Sequence, residues 1–489
     1  MKCTKLYPAV FVLTALFLFA FKLTVSQPAQ VDEIFFKSPG LSWASGTGWR
    51  SPEEPHYGGW QPPLNEVFAS YPPVYPFLFG CCVKIFGFSW RVCAGYDAVI
   101  HILLSGVLIL FLRSAAPSKQ GMAWNAGWLF LLSGYPPRPD QLAMSFGYGA
   151  LALILGLDEK CGWRRLVLSG VLFGFCLGTS VPCSVALAPL LVALMLRRHR
   201  VFGLTFKRFV VICGVATATA LVIVLPVWLY HHGALAQNLN ATASITGYTF
   251  STSLGHLFRY WYPVLIAVGI FMLPGVMALF VNLKLRQKEQ VVSWLVWYGS
   301  ISLPLAFFFL KSTFQGSYYW FFIPWLIAAL SQFHLYGPQV PRCTLAILLV
   351  GFLPLTGLNV RMMLGAYLTP SDQRIEAFRQ TVEGLVPEGA SVACGGDYWW
   401  LFAHRNQVYD LLNHAALQAD QVDYVVVTGI GSGGADKHGS LPPFAGGERF
   451  QLIHSQPGPS LPSLLGIPLF RSTFSPAPAV FRRKDAHGR

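Results

Sequence analysis

Long apolar runs separated by short polar links dominate the pattern along this chain. The first, over 6–25, follows Lys2 and Lys5 and is long enough to cross a hydrocarbon core of about 30 Å. Further apolar runs lie near 93–112, 122–134, 141–157, 166–180, 181–196, 209–230, 260–281, 291–310, 318–336 and 343–366. Together they predict about eleven transmembrane helices. The segment between the first two runs breaks the pattern. Residues 26–71 are polar, aromatic and glycine-rich, and end in Tyr71-Pro72-Pro73-Val74-Tyr75-Pro76, followed by apolar sequence to Phe88. Prolines at this density cannot sit inside a regular spanning helix, because each removes a backbone donor. The stretch after them is too short to cross, so it predicts a re-entrant or interfacial helix whose start the prolines fix.

Beyond residue 366 the pattern changes again. Residues 391–393 and 423–428 read as short buried strands, 372–384 as a helix starting after Pro370, and 429–447 as a glycine-rich loop. The expected fold class is therefore mainly α, a polytopic membrane protein with a small C-terminal α/β domain. The membrane region occupies 1–366, with 26–92 as its first large loop, and the α/β domain occupies 367–489.

Composition agrees with that class. Hydrophobic residues make up 54% of the chain and charged residues 11%, against about 25% charged in soluble proteins. The net charge of +14 might suggest nucleic acid, yet the basic residues cluster in links between apolar runs and form no stripe interleaved with exposed aromatics. Threading the helices from a cytoplasmic N-terminus places Arg113/Lys119, Lys160/Arg164/Arg165, Arg197/Arg198/Arg200/Lys207/Arg208, Lys284/Arg286/Lys288 and Arg342 on the cytoplasmic side. The opposite loops hold chiefly Lys37, Arg50, Arg138, Arg259 and Lys311. The C-terminal domain then lies outside the cytoplasm. The ten cysteines contain no CxxC spacing and read as buried thiols.

Candidate chemistry collects in the loops opposite the basic clusters. Asp32 and Glu33 follow the first helix directly, with Glu54 and His56 further along the same loop. A carboxylate at the lipid–water boundary can take a proton from a hydroxyl or hold a cation beside a phosphate; the competing reading is a solvated acidic loop. Arg138 and Asp140 flank Pro139 at a helix start. The planar fork of Arg138 suits a lipid phosphate, and Asp140 either fixes that arginine or meets a sugar hydroxyl. Lys311 precedes Tyr318 and Tyr319 and is a second phosphate candidate, although snorkelling explains it equally well. His231, His232 and His256 match no metal spacing, and Gly429–Gly434 lacks the following Lys-Ser/Thr of a nucleotide loop. Asp97 and His101 are exceptions in spans otherwise nearly free of ionisable groups.

The ordered set of Asp32-Glu33 after helix 1, the Tyr-Pro-Pro-Val-Tyr-Pro run from Tyr71, and Arg138-Pro139-Asp140 before a later helix resembles the GT-C superfamily of membrane glycosyltransferases. The resemblance is to the branch of protein O-mannosyltransferases and aminoarabinose transferases. It implies transfer of a hexosyl or pentosyl group from a polyprenyl-phosphate donor to a hydroxyl or amine of a glycan, lipid or protein acceptor. The expected place is the extracytoplasmic face of the cytoplasmic membrane, with inversion at the anomeric carbon. It further implies Asp32 as general base with Glu33 assisting. Arg138 and Lys311 would stabilise the phosphate leaving group, Asp140 would position substrate, and no cofactor or metal would be required. Tyr318, Tyr319 and Tyr71 are further binding candidates; relatives often carry an Arg beside the tyrosine where this chain has Tyr318-Tyr319. Membrane lipids are expected partners and nucleic acid is not. A transporter or flippase is the alternative class, and an accessory membrane protein a third.

Overall fold

The computed structural model describes residues 6–25, 33–49, 72–133, 138–156, 163–202, 206–230, 262–284, 291–292, 294–302, 304–305, 316–332, 340–369, 375–395, 398–410, 421–427, 449–455, 463–464, 467–468 and 479–484. The chain runs α1 (Leu6–Thr24), α2 (Glu33–Ala44), α3 (Val74–Phe86), α4 (Trp90–Ala115), α5 (Gln120–Leu132), α6 (Pro139–Leu155), α7 (Trp163–Leu177), α8 (Val181–Phe202), α9 (Phe206–Tyr230) and α10 (Tyr262–Lys284). A π-helical turn at Leu295–Gly299 and a 3-10 segment at Gly316–Phe322 precede α11 (Ile323–Gln332) and α12 (Val340–Leu368). Among the described residues four helical stretches are long and apolar enough to cross a membrane: Leu6–Thr24, Trp90–Ala115, Lys207–Val227 and Ala346–Leu368. Others are shorter. The run expected as a span over 318–336 opens as 3-10 helix, and that expected over 291–310 contains the π turn.

Small residues set the helix spacing. Gly170, Gly174 and Gly178 recur every fourth residue along and just beyond α7, and α9 packs onto that stripe. A Cβ on Gly174 would meet Thr219 Cβ at 2.5 Å and Ala216 O at 2.7 Å. Lipid tails are as apolar as leucine, so close backbone packing of this kind is a main source of helix association in a bilayer. The main core lies where α4, α5, α6, α8 and α11 meet, around Leu108, Phe111, Phe130, Met144, Leu187 and Trp325.

The loop expected to be polar begins with a helix. Sequence propensity argues against α2, because Pro39 and Gly40 sit inside it. Packing overrides propensity here. A Cβ on Gly40 would stand 2.0 Å from Pro76 O, and one on Gly80 2.6 Å from Gly40 O, so α2 and α3 cross backbone against backbone. Lys84 caps the crossing with its ammonium 3.7 Å from the Trp43 ring centre. The proline run does mark a start: Pro73 occupies the N-cap of α3, and Val74 N donates to Gly178 O at 3.1 Å.

The C-terminal part holds α13 (Ile375–Leu385), β1 (Ser391–Cys394), α14 (Trp399–Phe402), β2 (Gln407–Asp410), β3 (Tyr424–Val427), β4 (Phe450–Ser455), a small pair β5 (Ser463–Leu464) and β6 (Ile467–Pro468), and β7 (Ala479–Arg483). The main sheet has the order β2-β1-β3-β7-β4; β1 runs parallel to β2 and β3, and β7 antiparallel to β3 and β4. Both faces of β1 and β3 are buried, and the two-residue period divides them cleanly. Ala393, Val425, Val427 and Phe481 fill one face. Val392, Cys394, Val426 and Val480 face the other way, into a core shared with α13, α14, α2, α3 and the start of α4. Phe88 packs edge-on against Trp399 at 5.4 Å, and Trp90 Nε1 donates to Glu376 Oε2 at 3.2 Å. The sheet is thereby seated on the α2–α3 hairpin. The glycine-rich stretch 429–447 lies outside the described residues.

Candidate active site at the start of α6

Pro139 occupies the first turn of α6, where its missing N–H costs nothing. Arg138 holds the N-cap in extended backbone (φ −146°, ψ 158°), which turns its side chain back across the helix end. Arg138 and Asp140 are both buried, 8% and 5% exposed. Arg138 Nε donates to Asp140 Oδ2 at 3.2 Å, and Ser180 Oγ donates to Asp140 Oδ1 at 2.6 Å. Ser180 itself caps α8, accepting from Cys183 N at 3.3 Å. Asp140 thus has a partner on each oxygen and sits in the first turn of a helix, where the dipole favours negative charge. It orients the arginine through Nε. The guanidinium carbon stands 5.2 Å from the ring centre of Phe36 on α2.

A second buried ionic cluster lies beside it. Lys37 Nζ donates to Asp97 Oδ2 at 2.7 Å, and Tyr75 Oη donates to Asp97 Oδ1 at 2.9 Å. Tyr96 Oη donates to Tyr75 O at 2.7 Å. One carboxylate on α4 therefore fastens both α2 and α3, and Lys37 is 1% exposed. Such a pair is costly to desolvate and tolerable only with each partner satisfied. The pattern of the sequence placed Lys37 among solvated loop residues and flagged Asp97 only as an ionisable group inside a span. An acid in an apolar helix demands a partner, but nothing in the sequence said that the partner lies sixty residues upstream.

The remaining candidates divide by where they fall. Glu33 is the first residue of α2, one turn before Phe36 and Lys37; its backbone is described and its side chain is not. Asp32, Glu54, His56, Tyr71 and Lys311 lie outside the described residues, as do His231, His232 and His256. Tyr318 is half-buried in the 3-10 segment and stacks on Phe321 at 5.4 Å, while only the backbone of Tyr319 is described. Tyr148 of α6 donates its hydroxyl to Phe321 O, so the 3-10 segment is fastened to the helix that carries Arg138. The structure therefore gathers Arg138, Asp140, Ser180, Phe36 and the Lys37–Asp97–Tyr75 cluster at the sheet-bearing end of the helices. Ser180 and Phe36 carried no sequence signal of their own, and Tyr75 was marked only as part of the proline run.

Apolar helices with a buried ionic cluster at one end, covered by the α2–α3 hairpin and a small sheet, make this an integral membrane protein of the GT-C fold. Among solved structures the chain is similar to ArnT from Cupriavidus metallidurans bound to undecaprenyl phosphate, with a TM-score of 0.55 at 13% identity over 86% of this chain and 93% of that one. It is equally similar to ArnT in the apo state, with a TM-score of 0.56 at 13% identity over 87% and 93%. An oligosaccharyltransferase from Archaeoglobus fulgidus in the apo form gives 0.42 at 13% identity over 86% and 69%, too low to carry an argument. No protein-family model matches the sequence, and no curated protein does. At these identities the likeness establishes the fold.

Proposed function

We propose that the protein is a membrane glycosyltransferase that moves a sugar from a polyprenyl-phosphate donor to a hydroxyl or amine acceptor at the extracytoplasmic face. In this reading eleven helices span the membrane from a cytoplasmic N-terminus, residues 1–366 form the catalytic domain, and 367–489 lie outside. The observation that carries it is the buried Arg138. Asp140 holds it at Nε, and it lies against the helix that follows the Asp32-Glu33 pair. A buried guanidinium oriented by a carboxylate offers a fixed positive charge to an anion, and a phosphate leaving group gains charge as the glycosidic bond breaks. The fold shared with a structure that binds undecaprenyl phosphate supports that choice of anion.

In the proposed step the acceptor oxygen or nitrogen attacks the anomeric carbon on the face opposite the phosphate. Asp32 takes the acceptor proton as the new bond forms. The old C–O bond breaks with its electron pair staying on polyprenyl phosphate, and the anomeric centre inverts. Glu33 assists Asp32, while Lys311, Tyr318 and Tyr319 complete the phosphate pocket. No cofactor or metal enters, since the leaving group needs only fixed cations and hydrogen-bond donors.

Lipid extracts test this directly. Cells lacking the gene are complemented with wild type, Asp32→Asn or Arg138→Ala and analysed by mass spectrometry. The expected result is a polyprenyl-monophosphate sugar that accumulates without the gene and with either variant, and disappears with wild type. Unchanged lipids under confirmed expression would remove the transferase reading and favour a transporter or flippase.

A further inference from the structure

The turn between α7 and α8 ties together several parts of the protein. Gly178 O accepts from Val74 N at the start of α3 at 3.1 Å, and Ser180 N donates to Cys176 O at 2.9 Å. Ser180 O in turn accepts from Ser184 N at 3.1 Å and from Ser184 Oγ at 3.0 Å. The backbone of Ser180 is therefore fixed to the end of α7 and to the first turn of α8, and α7 is seated on α9 through its glycine stripe. Ser180 is buried.

A serine hydroxyl has one proton to donate and two lone pairs that accept. Capping α8 uses only a lone pair, in the bond from Cys183 N at 3.3 Å. The proton goes elsewhere, to Asp140 Oδ1 at 2.6 Å, a length typical of a hydroxyl on a charged acceptor. A residue serving only as a helix cap would not need that second bond. The terminal torsion of an aspartate is broad, so a carboxylate bonded at one oxygen can still turn about Cβ–Cγ. Ser180 holds Oδ1 and thereby sets where Oδ2 stands, 3.2 Å from Arg138 Nε. The contacts thus run from the α7–α9 packing through Ser180 and Asp140 to the guanidinium.

We propose that Ser180 is a positioning residue for the anion site: it acts through Asp140 to set the direction in which Arg138 meets the phosphate of the lipid-linked donor. The inference rests on the glycosyl-transfer reading and brings the α7–α8 turn into the machinery at Arg138. Purified full-length protein in lipid nanodiscs is titrated with undecaprenyl phosphate and with undecaprenol, which has the same chain and no phosphate. Wild type should prefer the phosphate by about tenfold or more, and Arg138→Ala should remove most of that preference. Ser180→Ala should cut it about fivefold, the size of one hydrogen bond. Ser180→Thr keeps the hydroxyl and should stay within about twofold of wild type. In the Arg138→Ala background Ser180→Ala should change the preference by less than about twofold, because no guanidinium is left to orient. Undecaprenol binding should be the same in every variant, which reports folded protein and separates orientation of the charge from loss of the α8 cap. An unchanged preference in Ser180→Ala, its loss in Ser180→Thr, an equal further loss in the Arg138→Ala background, or a parallel loss of undecaprenol binding would each overturn the role of Ser180 while leaving the transferase reading in place. A wild type with no preference for the phosphate, or a preference that Arg138→Ala leaves intact, would overturn the anion site itself, and this inference with it.

Discussion

Removing Asp97 leaves Lys37 buried without its counter-charge, and the consequence can be bounded from the structure. Lys37 is 1% exposed, with its ammonium 2.7 Å from the Asp97 carboxylate. In Asp97→Leu the lysine must either stay charged in an apolar setting or fold without its proton. A lysine of ordinary value near 10.4 gives up that proton at pH 7 for about 4.6 kcal/mol, at about 1.36 kcal/mol per unit. This caps the charge penalty, and it matches the 3–5 kcal/mol typical of a broken buried pair. Tyr75 also loses its acceptor, worth roughly 1 kcal/mol. The loss should therefore be about 4–5 kcal/mol, read as reduced thermal stability by tryptophan fluorescence in detergent. The double variant Lys37→Met with Asp97→Leu removes both charges and should recover most of it, since apolar replacement of a buried pair is often neutral. A loss below about 1 kcal/mol for Asp97→Leu, or a double variant no better than the single one, would refute the buried pairing.

Gly174→Leu should prevent α7 from seating on α9, because even a Cβ would approach Ala216 O to 2.7 Å; the expected result is aggregated protein on size-exclusion chromatography, at a cost of about 1–3 kcal/mol or more. Gly40→Ala should loosen the α2–α3 crossing and increase proteolysis of that hairpin relative to wild type. Arg138→Lys keeps a charge but loses the planar fork, so transfer should fall by roughly 10²-fold, with thermal stability less affected than in Asp97→Leu. His404, near Phe88 in the C-terminal part, is held below the usual histidine range, first by burial and then by the neighbouring Arg405 charge. The unfolded chain then binds more protons below about pH 6.5, so stability is complete above that value and declines as pH falls through it. The residue is partly exposed, so the decline should stay below about 1 kcal/mol, and His404→Gln should abolish it; an unchanged pH profile in that variant would remove the assignment.

What the sequence determined by itself were the properties local to a few turns of chain. Apolar run length sets helix position, because a helix satisfies its own backbone; hence α1, α4, α9 and α12 stand where the runs are. The prolines before Val74 set the start of α3 because they cannot donate, and the short apolar runs of β1 and β3 gave strands buried on both faces. Arg138 and Asp140 were legible as candidates because charge beside a proline at a helix start is rare in so apolar a chain. Tertiary structure decided what depends on contacts between distant segments. Helix α2 forms across Pro39 and Gly40 because α3 packs against it, and Lys37 is buried because Asp97, sixty residues on, neutralises it. Asp140 holds Arg138 while Ser180, before another helix, engages its second oxygen. Periodicity reports which face of an element is apolar. It carries no information on which distant residue completes a buried charge, and in this protein those long-range pairings build the candidate site.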